Sequence, residues 1–368
     1  MEARSIAYQC QRCDKKSVKQ SFQRILVIQT AFIGDVILTL PLLQVLKQQF
    51  SDADIDVVAT PQAAGLFANH PAIRNVIAYD KRGKDSGIVG FLKVKKRITA
   101  GNYDLAIVPH RSIRSAFLAF ASGINRRIGF NNSAGRRLFT DIVRYQPGRH
   151  EIERNLSLLD PLIEEKSFHE LPSLYPGGDD IVAIDRLLHD SGINQSRRLI
   201  SIAPGTIWNT KRWLKERFAE VARQLTREGH SVVLIGSDAD RELCEEIRIV
   251  ANDKHVLNTA GMLTLLQSAE LIKRSTVILS NDSAPMHIGV AVRTPVVAIF
   301  GATAPSFGFF PYGARDVIVE TLGLTCRPCS IHGGHVCPIR TFVCMKNIDA
   351  NRVLGIVRAQ LEGTERTQ

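Results

Sequence analysis

Short apolar runs alternate along this chain with segments of helical length. The runs lie at 24–29, 55–59, 75–79, 104–109 and 126–130, and again at 199–203, 231–235, 256–258, 277–280 and 295–300. Parallel strands that are buried on both faces appear in a sequence as continuous apolar runs. The alternation therefore predicts an α/β protein in which helices cover parallel sheets.

The plan occurs twice, which predicts two such α/β domains facing each other across a cleft. Helices are predicted at 36–50, 62–69, 87–98 and 150–165, and at 214–228, 240–251, 263–274 and 284–292. A stretch rich in proline, glycine and aspartate begins at Leu171 and predicts a linker near 171–195. Ligands bind at the carboxyl ends of the strands in such sheets.

The predicted divisions are an N-terminal tail at 1–23, a first domain at 24–175, a second domain at 176–345 and a C-terminal helix and tail at 346–368. We expect the amphipathic segment 350–361 to pack back on the first domain. The polar segment 1–19 lacks an apolar core of the signal-peptide type. We therefore expect a cytoplasmic enzyme.

Charge narrows the choice of partners. The chain of 368 residues carries 47 lysines and arginines against 36 acidic residues, a formal net charge of +11. Such an excess attracts polyanions. Aromatic residues make up only 7% and are not interleaved with basic clusters, so nucleic acid is not an expected partner. A phosphorylated small molecule and membrane headgroups remain as the expected partners.

The seven cysteines, in a chain without a visible secretion signal, favour reduced thiols. Cys10 and Cys13 form an isolated Cys-x-x-Cys pair in the polar tail. A second group contains Cys326, Cys329, Cys337 and Cys344, with His332 and His335 between them. Only its first pair has the tight spacing of a structural zinc site, so both a structural metal and a loop of buried thiols remain open.

The loop after the first apolar run contains Gly34 and Asp35. Glycine permits a tight turn from strand to helix, and Asp35 stands at the helix start, where it is either a helix cap or a functional carboxylate. The loop contains neither Gly-x-Gly-x-x-Gly nor Gly-Lys-Ser/Thr. This argues against a nicotinamide dehydrogenase.

Two loops of the second half suit a phosphate. Pro204, Gly205 and Thr206 form a turn with free backbone N–H groups, and Lys211 supplies a cation. After the run 277–280, Asp282 or Ser283 would cap a helix that has a proline in its first turn. Such a helix end attracts anions.

Several segments together resemble glycosyltransferase family 9, the ADP-heptose:lipopolysaccharide heptosyltransferases, especially the heptosyltransferase II branch. They are GDVILTLP at 34–41, HEIERNL at 150–156, PGT at 204–206, KRW at 211–213, LIGS at 234–237 and NDSAPMH at 281–287. The resemblance extends from about residue 24 to 362. It implies a GT-B fold of two Rossmann-like domains and an inverting transfer of heptose that needs no metal or cofactor. The first domain would bind the acceptor and the second the nucleotide sugar.

The same resemblance implies roles for individual residues. Asp35 would be the general base. Lys211, Ser283, Ala284 and His287 would hold the diphosphate, with Lys211 acting on the leaving group. Asp282 would contact phosphate or sugar hydroxyls, Thr206 lies in the nucleotide-sugar loop, and Asp238 matches an acidic ribose contact. Leu263 would lie against the adenine, although core packing explains this residue equally well.

The acceptor implied by the resemblance is a phosphorylated lipid A–inner core on the inner leaflet of the inner membrane, which would require peripheral membrane contact. Arg111 and Arg114 would pair with its acidic groups, and His150 matches the family but is equally compatible with a structural role. The alternatives are a same-fold transferase that uses another nucleotide sugar and a non-catalytic nucleotide-sugar-binding protein.

Overall fold

The computed structural model describes residues 21–164, 169–193 and 196–363. Cys10 and Cys13 lie outside these ranges. None of the described helices is both long and apolar enough to cross a bilayer.

Within the described ranges, each half contains a parallel six-stranded sheet. The first has the order β3-β2-β1-β4-β5-β6 and the second β12-β11-β10-β7-β8-β9. Their strands are β1 (Arg24–Ile28), β2 (Asp54–Ala59), β3 (Asn75–Ala78), β4 (Leu105–Val108), β5 (Arg126–Phe130), β6 (Asp141–Val143), β7 (Leu199–Ala203), β8 (Ser231–Leu234), β9 (Val256–Asn258), β10 (Val277–Asn281), β11 (Val296–Phe300) and β12 (Val317–Glu320). Counted within each half, the two orders are the same, and both are the Rossmann order.

Helices connect and cover the strands. They are α1 (Ile33–Ile37), α2 (Leu40–Gln49), α3 (Pro61–Ala64), α4 (Gly87–Ala100), α5 (Ile113–Ala121), α6 (Glu151–Ser157), α7 (Gly178–Asp190), α8 (Lys215–Arg227), α9 (Arg241–Ala251), α10 (Leu265–Lys273), α11 (Ala284–Ala291), α12 (Val343–Lys346) and α13 (Ala350–Gly363). The central strands β1, β7, β10 and β11 are almost entirely inaccessible to solvent. The continuous apolar runs therefore form the buried centre of each sheet, and the predicted α/β class is confirmed.

The helix predicted at 36–50 is divided. The Thr39 hydroxyl donates a hydrogen bond of 2.8 Å to the backbone oxygen of Asp35, and α1 ends at Ile37. A new helix, α2, then begins at Leu40 with Pro41 in its first turn. Proline is tolerated there because the N–H groups of a first turn have no partner within the helix. Asp35 consequently lies on a separate five-residue helix at the cleft.

The predicted linker is shorter than 171–195, because 178–190 form a helix. The Asp180 carboxylate accepts a hydrogen bond of 2.9 Å from the backbone N–H of Gly177 and stabilises the start of α7. Ile184 is fully buried, and α7 packs on α10 of the second sheet. The glycine-aspartate run is therefore a helix start.

The prediction that the C-terminal helix packs on the first domain is wrong. Helix α13 packs against α8 and β10, and Val353, Val357 and Leu361 are buried in the core of the second domain. The Arg198 guanidinium donates to the Leu361 backbone oxygen at 2.9 Å and holds the end of α13 in place. The apolar face of the helix is thus covered within its own half.

Candidate active site

The candidate site lies where the order of the parallel strands reverses in each sheet, between β1 and β4 in the first and between β7 and β10 in the second. In the first sheet, α1 follows β1, and Arg111 follows the adjacent β4. In the second sheet, the loop containing Lys211 follows β7, and α11 follows the adjacent β10. These are equivalent positions in the two domains, at the switch points where open α/β sheets bind ligands.

Asn281 holds the Lys211 loop at both of its ends. Its side-chain amide donates to the Pro204 backbone oxygen at 2.8 Å and accepts from the Trp213 backbone N–H at 3.1 Å. The Trp213 indole is buried and donates to the Ile348 backbone oxygen at 3.0 Å. Because Asn281 ends β10, it joins the two loops of the second domain into one rigid unit.

Lys211 and Asp282 form a buried ion pair. Nζ of Lys211 lies 2.7 Å from Oδ2 of Asp282, and the two side chains are 13% and 8% exposed. The Thr303 hydroxyl donates to the same carboxylate oxygen at 2.6 Å. Lys211 is therefore fixed in position, with its charge partly balanced by Asp282.

The first turn of helix α11 has no side-chain cap for its backbone N–H groups. Ser283 is the N-cap, Pro285 lies in the first turn, and no side-chain hydrogen bond closes this end of the helix. The Ser283 hydroxyl instead lies 3.4 Å from the Asn281 backbone oxygen. The backbone at Ser283 and Ala284 and the positive end of this eight-residue helix suit an anionic group beside Lys211.

His287 connects the helix end to the opposite domain. It is 4% exposed, and a Cβ placed on Gly34 would lie only 3.1 Å from its Cδ2 atom. Burial lowers the pKa of His287 to about 3, with further lowering by His150 and Lys211. Nδ1 is buried without a hydrogen-bond partner. His287 is thus neutral at physiological pH, with its Cδ2 edge at the turn that contains Asp35 and with Nδ1 unsatisfied.

Asp35 lies on the other side of the cleft and is partly exposed. Burial raises its pKa above the usual aspartate value, whereas Arg111, a backbone hydrogen bond from Phe32 and His332 oppose that rise. His332 belongs to the second domain, and its ring lies edge-on to Phe32 at 6.5 Å. Residues of both domains therefore set the proton affinity of this carboxylate.

Sequence reasoning missed several charged neighbours of Asp35. Glu151 and Arg154 form a buried ion pair of 2.7 Å, and the Arg154 guanidinium lies over the Tyr145 ring at 4.9 Å. Burial raises the pKa of Glu151 to about 6, and the charge of Asp35 adds to this rise. The signal was present in the 150–156 segment, where Glu151 and Arg154 have the i, i+3 spacing of a helical ion pair.

His150, for which the sequence left both a substrate contact and a structural role open, makes structural contacts through both ring nitrogens. Its Nδ1 accepts from the Ile152 backbone N–H at 3.2 Å, and Nε2 lies 2.9 Å from the Phe310 backbone oxygen in the other domain. The ring stacks on Tyr312 at 4.1 Å. Both ring nitrogens are used in this way, so His150 caps α6 and joins the two domains.

The predicted acceptor arginines lie in different environments. Arg111 is partly buried, and its guanidinium lies over the Tyr145 ring at 4.7 Å, within electrostatic reach of Asp35. Arg114 is exposed and donates to the Lys81 backbone oxygen at 3.1 Å. Lys81, which the sequence did not indicate, donates to the Thr30 backbone oxygen at 2.6 Å and supports the loop before α1.

The predicted nucleoside contacts lie farther along the second sheet. Thr206 is buried, and its hydroxyl accepts from the Trp208 backbone N–H at 3.2 Å. Asp238 is exposed and paired with Arg241 at 2.9 Å, whereas the Asp240 carboxylate packs against Gly205. Leu263 is half-buried and packs on the main core. Asp240, missed in the sequence, is thus the acidic side chain that contacts the 204–206 turn.

The cysteine-containing loop crosses over the Lys211 loop. The Thr210 backbone N–H donates to the Gly334 oxygen at 3.0 Å, and the Gly334 N–H donates to the Thr210 hydroxyl at 2.8 Å. These bonds position His332 near Asp35. Burial and the neighbouring Cys326 and Cys337 raise the pKa of the Cys329 thiol. Within the described ranges, no three histidine, cysteine or acidic side chains form a group able to hold a metal ion.

The family model described as glycosyltransferase family 9 (heptosyltransferase) matches residues 91–334. The chain is 29% identical to lipooligosaccharide heptosyltransferase 2 of Haemophilus ducreyi, covering 81% of this chain and 89% of the relative. It is 30% identical to lipopolysaccharide heptosyltransferase 3 of Escherichia coli, with coverages of 74% and 82%. The structure of E. coli ADP-heptose lipopolysaccharide heptosyltransferase II superposes with a TM-score of 0.77 and 25% identity, covering 93% of this chain and all of that one.

Proposed function

Because the chain belongs to glycosyltransferase family 9, we propose that it transfers heptose from ADP-heptose to the inner core of lipopolysaccharide. The fold is the GT-B arrangement of two Rossmann-like domains. One observation carries the proposal. His287, in the first turn of α11, contacts the Gly34 turn, so the Lys211–Asp282 pair and the Asp35 carboxylate belong to loops that face each other across the cleft.

The second domain is the donor side of this proposal. Lys211, the backbone at Ser283 and Ala284, and neutral His287 bind the diphosphate. His287 acts as a hydrogen-bonding group and not as a cation, since its pKa is about 3. Asp282 positions Lys211 and accepts from sugar hydroxyls. Thr206 completes the turn.

Farther along the second sheet, the ribose meets an acidic side chain, Asp238 or the neighbouring Asp240, and the adenine lies near Leu263. The Asp240 carboxylate lies against Gly205, and this supports the assignment. The acidic side chain and the 204–206 turn would then both border the pocket that binds the donor.

The reaction proposed is a single displacement with inversion at the anomeric carbon. Asp35 takes the proton of the acceptor hydroxyl as its oxygen bonds to that carbon, and the bond from the carbon to the diphosphate oxygen breaks. ADP leaves with the electron pair, and its new charge is stabilised by Lys211 and the helix end. A positioned carboxylate base contributes about 10²–10⁴-fold. The raised pKa of Asp35 supports this role because it strengthens the base.

The first domain is the acceptor side. Arg111 lies beside Asp35 and would bind an acidic group of the phosphorylated lipid A–inner core. Arg114 would make a second contact from the start of α5. An acceptor anchored in lipid must be reached at a membrane surface, and the proposal places the enzyme in the cytoplasm, in peripheral contact with the inner leaflet of the inner membrane.

The test is a mass-spectrometric assay of the purified protein with ADP-heptose and a defined truncated core acceptor. We expect the acceptor to gain one heptose and ADP to be released in equal amount. Parallel reactions use ADP-, GDP- and UDP-hexoses. Transfer from one of these and not from ADP-heptose would assign a different donor. Tight binding of ADP-heptose with no transfer to the acceptor would indicate a binding protein.

A further inference from the structure

Helices α4 and α5 expose large apolar side chains to solvent on the outside of the first domain. On α4 they are Ile88, Val89 and Leu92, which are 76%, 79% and 52% exposed. On α5 they are Ile113, Phe117 and Phe120, which are 59%, 46% and 48% exposed. We call these six residues the α4–α5 face. Apolar residues that are exposed together in this way mark an interaction surface.

The α4–α5 face is continuous across the two helices. Ile88 and Leu92 are one helical turn apart, as are Ile113 and Phe117, so each pair lies on one side of its helix. Phe91 joins the two sides, since its ring stacks on that of Phe117 with centroids 5.3 Å apart and an interplanar angle of 16°. Packing of the two helices against each other therefore creates one apolar surface.

The segments that carry this face are rich in basic residues, and the Arg127 guanidinium lies over the Phe120 ring at 5.4 Å. Residues 86–103 and 105–140 contain no aspartate or glutamate. The basic residues in these segments are Lys93, Lys95, Lys96, Arg97, Arg111, Arg114, Arg126, Arg127, Arg136 and Arg137. An apolar surface with a basic border is the composition that binds an anionic bilayer.

The position of the face relates it to the site. Helix α5 begins two residues after Arg111, whose charge acts on Asp35. Arg114, in the first turn of α5, connects this helix to Lys81 before α4. The same helix thus carries apolar residues outside the domain and begins at the acceptor side of the cleft. A lipid-anchored acceptor at this surface would have its sugars directed toward Asp35.

We propose that the α4–α5 face docks on a bilayer containing anionic lipid, with its six apolar side chains at the headgroup boundary and the surrounding lysines and arginines on the lipid phosphates. The proposal rests on the proposed function in identifying the acceptor as lipid-borne. A symmetric dimer through this face would bring two surfaces of the same positive charge together. The charge therefore favours an anionic lipid surface over a second copy of the chain.

The experiment is co-sedimentation of the full chain with vesicles of phosphatidylcholine alone or with phosphatidylglycerol added. The test variant combines Val89→Asp and Leu92→Asp. The control combines Ile249→Asp and Val250→Asp on α9, whose side chains are 61% and 50% exposed on the other domain. We expect the wild type and the control to bind the phosphatidylglycerol vesicles, and the test variant to bind at least about tenfold more weakly.

Turnover of a water-soluble truncated acceptor should be equal in all three proteins, because no substituted residue lies in the cleft. Equal vesicle binding by the test variant would overturn the proposal. So would sedimentation of the wild type as a dimer that the test variant converts to a monomer. Vesicle binding without transfer from ADP-heptose would reject the proposed function alone. Transfer to the soluble acceptor without vesicle binding would reject the docking surface alone.

Discussion

Lys211 and Asp282 are joined by an ion pair of 2.7 Å that links the loops after β7 and β10, the two strands at the switch point of the second sheet. Removing charges from water is costly, and the Thr303 hydroxyl offsets part of that cost by donating to Asp282. A cation held in this way is already positioned before any donor binds, so little further ordering is needed at the leaving group.

We predict that Lys211→Met lowers turnover by about a hundredfold or more and weakens ADP binding, because the leaving group loses a preorganised cation. The substitution also leaves Asp282 buried without its partner, which costs about 3–5 kcal/mol of stability. The double variant Lys211→Met, Asp282→Asn should recover much of that stability but not the turnover. Thermal unfolding and steady-state kinetics separate these effects.

Lys215→Met is the matched control, since Lys215, at the start of α8 after the Lys211 loop, forms an exposed ion pair of 2.6 Å with Glu246 on α9. Exposed pairs contribute little. Wild-type kinetics and unfolding are expected for this variant. If Lys215→Met lost as much turnover and stability as Lys211→Met, the losses would arise from removal of a positive charge in general and not from the position of Lys211.

Asp35→Asn should lower turnover by about a hundredfold or more while ADP-heptose still binds, because the general base is lost and the donor loops are unchanged. Calorimetric titration of the donor and steady-state kinetics measure the two quantities. Turnover near the wild-type level would remove Asp35 from the mechanism.

The buried strands could be predicted because a strand that is covered on both faces of a parallel sheet appears in the sequence as a continuous apolar run. Helix α5 was missed although its bounds are regular. Its sequence, IRSAFLAFA, leaves Phe117 and Phe120 exposed, and no helix start or stop residue in it was used to mark the segment. The exposure of these two side chains depends on the tertiary structure, and it makes the helix an interaction surface.

Four predicted site residues, Asp35, Lys211, Asp282 and His287, follow strands that meet at the cleft, so their convergence could be deduced from strand order. Their electrostatic state could not. Whether His287 is neutral depends on burial between domains. The influence of His332 on Asp35 requires a loop of the second domain to reach the first. These are long-range contacts that no local pattern records.

Arg111→Ala should move the acidic limb of the pH–rate profile to higher pH. Burial raises the pKa of Asp35 and Arg111 lowers it, so removing the arginine raises that pKa further and keeps the base protonated over a wider range. His332→Ala should act in the same direction. Arg114→Ala is the control for the position of the acidic limb, because Arg114 contacts the Lys81 backbone and is not one of the groups that shift the pKa of Asp35, even if its loss lowers kcat/KM at every pH. Profiles of kcat/KM for the four proteins make the comparison. An Arg111→Ala profile equal to that of the wild type would contradict the conclusion that Arg111 lowers the pKa of Asp35.

The folded protein should lose stability as pH falls from about 6.5 toward 4. Burial lowers the pKa of His70, His110 and His150 to about 4 and that of His287 to about 3. The unfolded chain therefore binds protons in this window that the folded chain does not, and stability decreases. Glu151 acts in the opposite direction, since its pKa is raised to about 6 and its contribution is lost as pH rises through that value.

Thermal midpoints measured from pH 7 to pH 4 test this expectation. His70→Asn should reduce the slope. His189→Asn, at a side chain that is 89% exposed, should leave the slope unchanged. A constant midpoint across the window would contradict the buried, neutral state of these imidazoles.

Gly34→Ala should slow turnover because the new Cβ would lie 3.1 Å from Cδ2 of His287. Such a contact is closer than packed carbon atoms normally adopt, so either the imidazole or the Asp35 turn must move. Positioning of reacting groups is sensitive to shifts of this size, and we expect a decrease of about tenfold or more in kcat. Gly65→Ala is the control, since no atom lies within 4 Å of a Cβ at that position. Equal kcat values for both variants, with equal thermal midpoints, would show that the contact between the two domains does not position Asp35.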